Sequence, residues 1–283
     1  MSKDQPLPEG HYVTCPNGQT LHYLDEGQGP VVVFLHGSGP GASGFSNFKG
    51  NYPQWVAAGH RCIVLDLVGF GYSDKPEDVD YTLAFFVECA SQALAQLGVT
   101  RCALVGNSLG GAVAIGLALD SPTEVEKLIL MAPGGLSPRE EYLVMPGMQK
   151  MFEIYLSETP IDAAALRAMF EFGLVYDPAH ITDTLLEERF HVLQLMNQHV
   201  MLTMDIPHLA ERLGELDCPV LAFWGADDKM MPAGGLLALM ENCTNTKTLV
   251  LSECGHWAMV EHEALFNREC LAFLEDQVDA AAA

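Results

Sequence analysis

The chain has 283 residues, of which 49% are hydrophobic and 18% are charged, as in globular proteins with a sizeable buried core. Its formal net charge is −23, so nucleic acid and anionic membrane surfaces are unfavourable partners. The first twelve residues contain no apolar stretch, and the eight cysteines show no CxxC spacing. We therefore expect a cytoplasmic protein with reduced, buried thiols, without a signal peptide and without a metal site.

The apolar pattern predicts strands and helices that alternate along the chain. Alternating residues on both sides of Asn17-Gly18 predict a β-hairpin. Apolar runs predict six further strands, namely VVVFLHG, RCIVLDL, CALVG, KLILMAP, PVLAFWG and KTLVLSE. Helical patterns lie between them in LAFFVECASQALAQLG, after Ser108, in PAGGLLALMEN and in EALFNRECLAFLEDQV. This alternation predicts an α/β fold, with a mostly parallel sheet and helices on both of its faces.

One segment departs from this alternation. Residues 135–207, here called the lid segment, contain no clear strand pattern and three helical stretches, REEYLVMPGMQKMFEIYL, IDAAALRAMFEFGL and TDTLLEERFHVLQLMNQHVM. We interpret them as a helical lid inserted between the two parts of a sheet domain, residues 1–134 and 208–283.

The stretch VGNSLGG places Ser108 between Gly106 and Gly110, after a predicted strand and before a predicted helix. Such glycines are found in membrane helix contacts, in close packing, or in the G-x-S-x-G turn that presents a nucleophilic serine. The apolar run 103–119 is short for a membrane span and carries Asn107 and Ser108 near its centre. We therefore favour the nucleophile turn, with its serine exposed at the edge of the sheet.

A serine nucleophile needs a base, and an acid that orients the base. Among the ten histidines, His256 alone follows the last predicted strand directly, and Asp228 follows the preceding strand. The order serine, aspartate, histidine is the one expected on this kind of sheet. Asp227 and Asp66 are alternative acids, and we expect Asp66 to shape the DLVGFGYS turn instead.

Acyl transfer also needs two backbone donors for the oxyanion. We expect one to be the amide of Leu109, directly after the nucleophile. The other is expected from the glycine-rich loop HGSGPGASG, at the amide of Ser38.

The same loop offers a competing interpretation. Gly39, Gly41 and Gly44 spell G-x-G-x-x-G, and Asp66 ends a later strand, as in a dinucleotide-binding fingerprint. However, the first of these glycines lies several residues past its strand, and the glycine and proline of FKGNYP interrupt the helix that should follow. We therefore expect no nucleotide cofactor.

Together these motifs resemble the α/β-hydrolase family, and more narrowly the meta-cleavage-product hydrolases, which are serine C–C hydrolases of bacterial aromatic-ring degradation. The resemblance extends from residue 11 to residue 274 and is carried by HGSGPGASGFSNF, DLVGFGYSDKP, VGNSLGGAVAI, WGADDKMMP and CGHWAMVEHEALFNRECLAFL.

The resemblance implies a triad of Ser108, Asp228 and His256. It further implies a polar substrate pocket formed by Asn47, Asn107, Arg189 and Trp257. The substrate would be an anionic 2-hydroxy-6-oxohexa-2,4-dienoate, which water cleaves to 2-hydroxypenta-2,4-dienoate and a carboxylic acid. No metal or organic cofactor would be needed, and the family pattern implies a homodimer.

The acyl end of the pocket departs from the family pattern. Leu174 stands where the family leads us to expect an aromatic side chain, and further candidates are methionines: Met145, Met148, Met151, Met230 and Met231. Most of these methionines are expected to fill the core, while any that face the pocket would favour an apolar acyl group. The choice between alkyl and aryl groups stays open.

Two other functions fit the same motifs. A carboxylesterase would use the same triad but would not need Arg189 and Asn47 for a substrate carboxylate. A non-catalytic small-molecule receptor on this fold is disfavoured by the intact triad. Dehalogenases and epoxide hydrolases are excluded because their nucleophile is an aspartate, where this chain has Ser108.

Overall fold

The computed structural model describes residues 9–156 and 160–276. Within these ranges the chain forms one sheet of eight strands in the spatial order β1-β2-β4-β3-β5-β6-β7-β8. The strands are β1 (His11–Thr14), β2 (Thr20–Glu26), β3 (Val31–Leu35), β4 (Arg61–Leu65), β5 (Cys102–Asn107), β6 (Val125–Met131), β7 (Val220–Gly225) and β8 (Thr246–Leu251). Strand β2 pairs antiparallel with β1 and β4, and all other pairs are parallel. The predicted fold class is confirmed.

Helices connect these strands. In chain order they are α1 (Gly44–Phe48), α2 (Tyr52–Ala57), α3 (Leu83–Gln96), α4 (Leu109–Asp120), α5 (Arg139–Leu143), α6 (Pro146–Tyr155), α7 (Ala163–Gly173), α8 (Asp183–Leu193), α9 (His199–Thr203), α10 (Gly234–Asn242), α11 (Ala258–Glu261) and α12 (Glu263–Glu275). Helix α4 follows the central strand β5 and is buried from Leu109 to Ala118. Small apolar side chains all around this helix allow such complete burial.

The helices α5 to α9 lie between β6 and β7, in the lid segment. Two of the three predicted helical stretches are divided in the structure. The first predicted stretch is divided into α5 and α6 just before Pro146. This proline lacks the amide hydrogen that a position inside a helix would need, and it occupies the first position of α6. The other is interrupted after Leu193, where Met196 and Asn197 contact the core through the Gly41 amide and the Lys75 carbonyl. The bounds 135 and 207 of a separate lid domain stay a prediction.

All eight cysteines lie in the described residues, and all are buried and free, in agreement with the sequence prediction. Burial raises the pKa of several thiols, to about 12 for Cys62. In the part of the chain that the structure describes, no helix is long and apolar enough to cross a membrane. The same residues contain no group of three or more histidine, cysteine or acidic side chains that could hold a metal ion.

Candidate active site

Ser108 lies in the turn between β5 and α4, with φ 54° and ψ −117°, a backbone conformation that is strained for a residue with a side chain. The two flanking glycines permit this turn because the strand and the helix pack closely. A Cβ on Gly106 would lie 2.5 Å from the Gly110 carbonyl oxygen, and a Cβ on Gly110 would overlap the Leu35 carbonyl. Contrary to the expectation of an exposed serine, Ser108 is only 7% exposed, and it lines two cavities.

The base and acid predicted for this serine are in contact. Nδ1 of His256 lies 2.8 Å from Oδ2 of Asp228, and both side chains are buried. The other carboxylate oxygen of Asp228 accepts hydrogen bonds from the amides of Met230 and Met231, at 2.7 and 2.9 Å. The adjacent Asp227 is exposed. This geometry favours Asp228 over its neighbour as the acid that orients the imidazole.

Asp66, the second alternative acid, is engaged elsewhere. One of its oxygens accepts a hydrogen bond from the Gly44 amide at 2.7 Å. The other accepts from the Tyr72 amide at 2.9 Å and lies 2.8 Å from Nδ1 of His22. The carboxylate therefore holds the DLVGFGYS turn, as expected, and is not free to bind a ribose. Helix α1, which begins at Gly44, has only five residues, unlike the long helix that follows a dinucleotide fingerprint.

A polar network connects α8 of the lid segment to the nucleophile turn. Nη2 of Arg189 donates a hydrogen bond of 2.5 Å to Oδ1 of Asn47. Nδ2 of Asn47 in turn donates to Oδ1 of Asn107 at 3.3 Å. The guanidinium also lies over the rings of Trp257 and Phe170, with distances of 4.9 and 5.6 Å from Cζ to the centroids. Sequence reasoning missed Phe170, which lies on the predicted lid helix IDAAALRAMFEFGL.

Arg189 is only 1% exposed, and no carboxylate of the described residues lies within ion-pair distance of it. The neighbouring Glu188 pairs instead with Lys49, at 2.5 Å. Burial lowers the pKa of the guanidinium to about 9, which leaves it charged at neutral pH. Its Nε has no hydrogen-bond partner among these residues. A buried cation in this state is costly unless an anion binds beside it.

The backbone of α8 also contacts the glycine-rich loop. Gly41 has φ +63°, and a Cβ there would overlap the carbonyl of Arg189. One glycine of the apparent nucleotide fingerprint therefore allows the close approach of the helix that carries the arginine.

Two cavities meet at Ser108. The smaller, of about 50 Å³, contains the polar side chains predicted for the site, although most of its surface is apolar; it is lined by Gly37, Ser38, Gly39, Asn47, Asn107, Ser108, Met148, Met151, Leu174, Arg189, Met230, Met231, His256 and Trp257. The larger, of about 400 Å³, is mostly apolar and shares Ser38, Ser108, Met148, Met151 and Met231 with the smaller one. Leu109 lines only the larger cavity, Leu174 and Met230 only the smaller, and Met145 neither.

Comparisons with known proteins identify the family of this chain. The profile described as "alpha/beta hydrolase fold" matches residues 30–263. A 2-hydroxy-6-oxo-6-phenylhexa-2,4-dienoate hydrolase of Burkholderia cepacia is 36% identical, over 90% of this chain and 91% of its own. A 2-hydroxy-6-oxononadienedioate/2-hydroxy-6-oxononatrienedioate hydrolase of Comamonas testosteroni is also 36% identical, over 90% and 91%.

Solved structures show the same similarity. A meta-cleavage product hydrolase of Pseudomonas fluorescens IP01 superposes with a TM-score of 0.82 at 27% identity, covering 94% of this chain and 97% of that one. An esterase of a Rhodococcus species superposes with a TM-score of 0.81 at 25% identity, covering 94% and 98%. The chain belongs to the α/β-hydrolase fold family and, within it, to the meta-cleavage-product hydrolases, which confirms the resemblance seen in its motifs.

Proposed function

We propose that this protein hydrolyses the C5–C6 bond of a 2-hydroxy-6-oxohexa-2,4-dienoate to 2-hydroxypenta-2,4-dienoate and a carboxylic acid. The observation that carries this proposal is the buried guanidinium of Arg189, which has no carboxylate partner among the described residues and lines the same cavity as Ser108 and His256. A planar cation of this kind suits the substrate carboxylate. The names of the two bacterial relatives support the same reaction.

In the proposed reaction, the 2-hydroxyl proton is lost and a proton is delivered to C5, with His256 as the group that transfers it. This ketonisation gives an α-keto acid that can accept the electrons of the breaking bond. Ser108 then attacks the C6 carbonyl and transfers its own proton to His256, which Asp228 holds in the required orientation. Cleavage of C5–C6 moves the bonding electrons onto the 2-oxygen, and the resulting dienolate takes the proton back from His256 and leaves as the dienol. Water then hydrolyses the acyl-serine, which regenerates Ser108 and releases the carboxylic acid. These steps need neither a metal nor an organic cofactor.

The amides of Ser38 and Leu109 are the proposed donors to the oxyanion that forms at C6. Leu109 is the first residue of α4, so its amide is among those at the start of a helix that have no partner within the helix. The positive end of the helix dipole also favours negative charge at this point.

The larger cavity is the proposed site of the acyl group of the substrate. The substrates for which the two relatives are named differ in this group. One relative is named for a 6-phenyl substrate, and the other for a dienedioate that carries a second carboxylate. Apolar side chains dominate the cavity, including Met148, Met201 and Ile206. Its arginine, Arg139, is 75% exposed and lies 3.5 Å from Asp205. We therefore propose that this enzyme prefers a bulky, uncharged group at C6.

A panel of dienoates with 6-methyl, 6-phenyl and 6-(2-carboxyethyl) groups tests both the reaction and the acyl preference through the loss of yellow absorbance. We expect kcat/KM for the 6-phenyl compound to exceed that for the carboxyethyl compound at least about 10-fold, because an unpaired carboxylate is poorly accommodated in an apolar cavity. A preference for the carboxyethyl compound would contradict the assigned acyl group. Hydrolysis of simple esters without turnover of any dienoate would favour the carboxylesterase instead.

The substrate and the homodimer rest on the family pattern, and the cytoplasmic location rests on the reduced cysteines. The small-molecule substrate is the proposed partner, whereas the homodimer and the cytoplasmic location remain predictions. Steady turnover of any member of the panel would exclude a non-catalytic receptor.

A further inference from the structure

One carboxylate connects the loop of the proposed catalytic histidine to the lid segment. Oε1 of Glu261 accepts a hydrogen bond of 2.7 Å from the amide of Gly255. Oε2 accepts from the amides of Tyr176 and Asp177, at 2.6 and 3.1 Å. Gly255 directly precedes His256, while Tyr176 and Asp177 lie between α7 and α8. The three amides thus come from two segments that are far apart in the sequence.

A direct backbone hydrogen bond joins the same two segments on the other side of the histidine. The amide of Trp257 donates to the carbonyl of Leu174 at 3.1 Å. The loop is also held to the core, because the amide of Asp227 donates to the carbonyl of Cys254 at 2.9 Å. Both neighbours of His256 are therefore fixed to the lid segment, one of them through the Glu261 side chain.

Glu261 is itself placed by the loop that it holds. It is the last residue of the short helix α11, and its amide donates to the Trp257 carbonyl at 2.9 Å. Its side chain is partly buried. A carboxylate that accepts several amide hydrogen bonds makes stronger contacts than a neutral side chain would.

We propose that Glu261 is a positioning residue, which sets the backbone of the histidine loop so that the imidazole faces the cavity that Ser108 also lines. The same carboxylate holds the connection that leads into α8, and therefore also locates Arg189. This inference rests on the proposed role of His256 as the base. Small displacements of a catalytic group are costly, since a shift of about 1 Å can reduce the rate about 100-fold.

The substitution Glu261→Ala tests the proposal with three measurements: turnover of a dienoate, turnover of p-nitrophenyl acetate, and the rate at which a fluorophosphonate labels Ser108. We expect kcat for both substrates and the labelling rate to fall about 10- to 100-fold, because all three depend on the serine–histidine pair. KM for the dienoate is expected to rise as well, because Arg189 loses its fixed position. Glu261→Gln keeps one acceptor oxygen and should lose less than the alanine variant.

Glu263→Ala is the matched control. Glu263 is an exposed carboxylate at the start of α12 that accepts a hydrogen bond from Gln54, so its removal should leave all three rates unchanged. The thermal unfolding temperature of each variant separates lost positioning from lost stability. If the alanine variant does not fold, the comparison of Glu261→Gln with wild type gives the same test.

Two results would overturn the proposal. A lower unfolding temperature with unchanged kcat and labelling rate would make Glu261 purely structural. A loss of activity toward the dienoate alone, with unchanged ester turnover and labelling, would mean that Glu261 acts on the lid segment and not on His256. If the wild-type protein does not cleave dienoates, the ester and labelling measurements still test Glu261, so the two failures are distinguishable.

Discussion

The variant His256→Ala is expected to lose both turnover of the dienoate and the ketonisation that precedes C–C cleavage. Loss of a triad member costs roughly 10⁴- to 10⁶-fold in kcat in serine hydrolases. In this site the imidazole is held by Asp228 at 2.8 Å and lines the same cavity as the nucleophile, so it is the proposed proton carrier for both steps. Stopped-flow absorbance after mixing with the 6-phenyl dienoate separates the first spectral change from the loss of colour.

Ser108→Ala provides the contrast within the same experiment. It removes only the nucleophile, so we expect the early spectral change to persist while product formation falls by a similar factor. His11→Ala, which alters an exposed histidine on edge strand β1, should behave as wild type. Full activity of His256→Ala would show that another group is the base, and the assigned triad would then be wrong.

The variant Arg189→Gln is expected to lose about 10- to 100-fold in kcat/KM for the dienoate, because a hydrogen bond to a charged group contributes roughly 1.5–3 kcal/mol. The protein carries a net charge of −23, so its overall field opposes the approach of an anion and a local cation has to compensate. p-Nitrophenyl acetate has no carboxylate, so its hydrolysis should change little. The ratio of the two losses, measured on one preparation, is the informative quantity.

Arg167→Gln is a suitable control for this variant. Arg167 also belongs to the lid segment but is one-third exposed and pairs with Glu171 and Asp183. Its replacement should affect both substrates equally and weakly, since surface ion pairs contribute little. If Arg189→Gln reduces both activities by the same factor, the arginine is structural, and the proposed dienoate site loses its main polar contact.

The sheet and the nucleophile turn were predictable from the sequence because both depend on local patterns. Continuous apolar runs specify buried parallel strands, and each predicted strand is present in the sheet. The glycines around Ser108 reflect a close strand–helix contact that leaves no room for a Cβ. The parallel topology brings the ends of β5 and β7 to one edge, which is why Asp228 could be chosen from its position after a strand.

Contacts between distant segments were not predictable in the same way. The break of the predicted helix after Leu193 depends on contacts of Met196 and Asn197 with the core, which no helical pattern shows. Likewise, nothing in the local sequence distinguishes Glu261 from the other acidic residues of its helical stretch. Its role depends on contacts of its two oxygens with two other segments, which form only in the folded chain. The orientation of Arg189 could be argued only from the family pattern, because an arginine on a helix rich in acids more often lies at the surface.

The backbone of Ser108 has a consequence for how this protein can be altered. A positive φ costs a residue with a side chain about 1–3 kcal/mol. At Ser108 this backbone conformation is maintained by the hydrogen bonds that its amide donates and its carbonyl accepts, and by the packing of α4. Glycine would relieve that strain but would remove the hydroxyl. A substitution that increases thermal stability at this position would therefore abolish the activity that depends on the hydroxyl. Substitutions intended to stabilise the protein have to be made elsewhere in the chain.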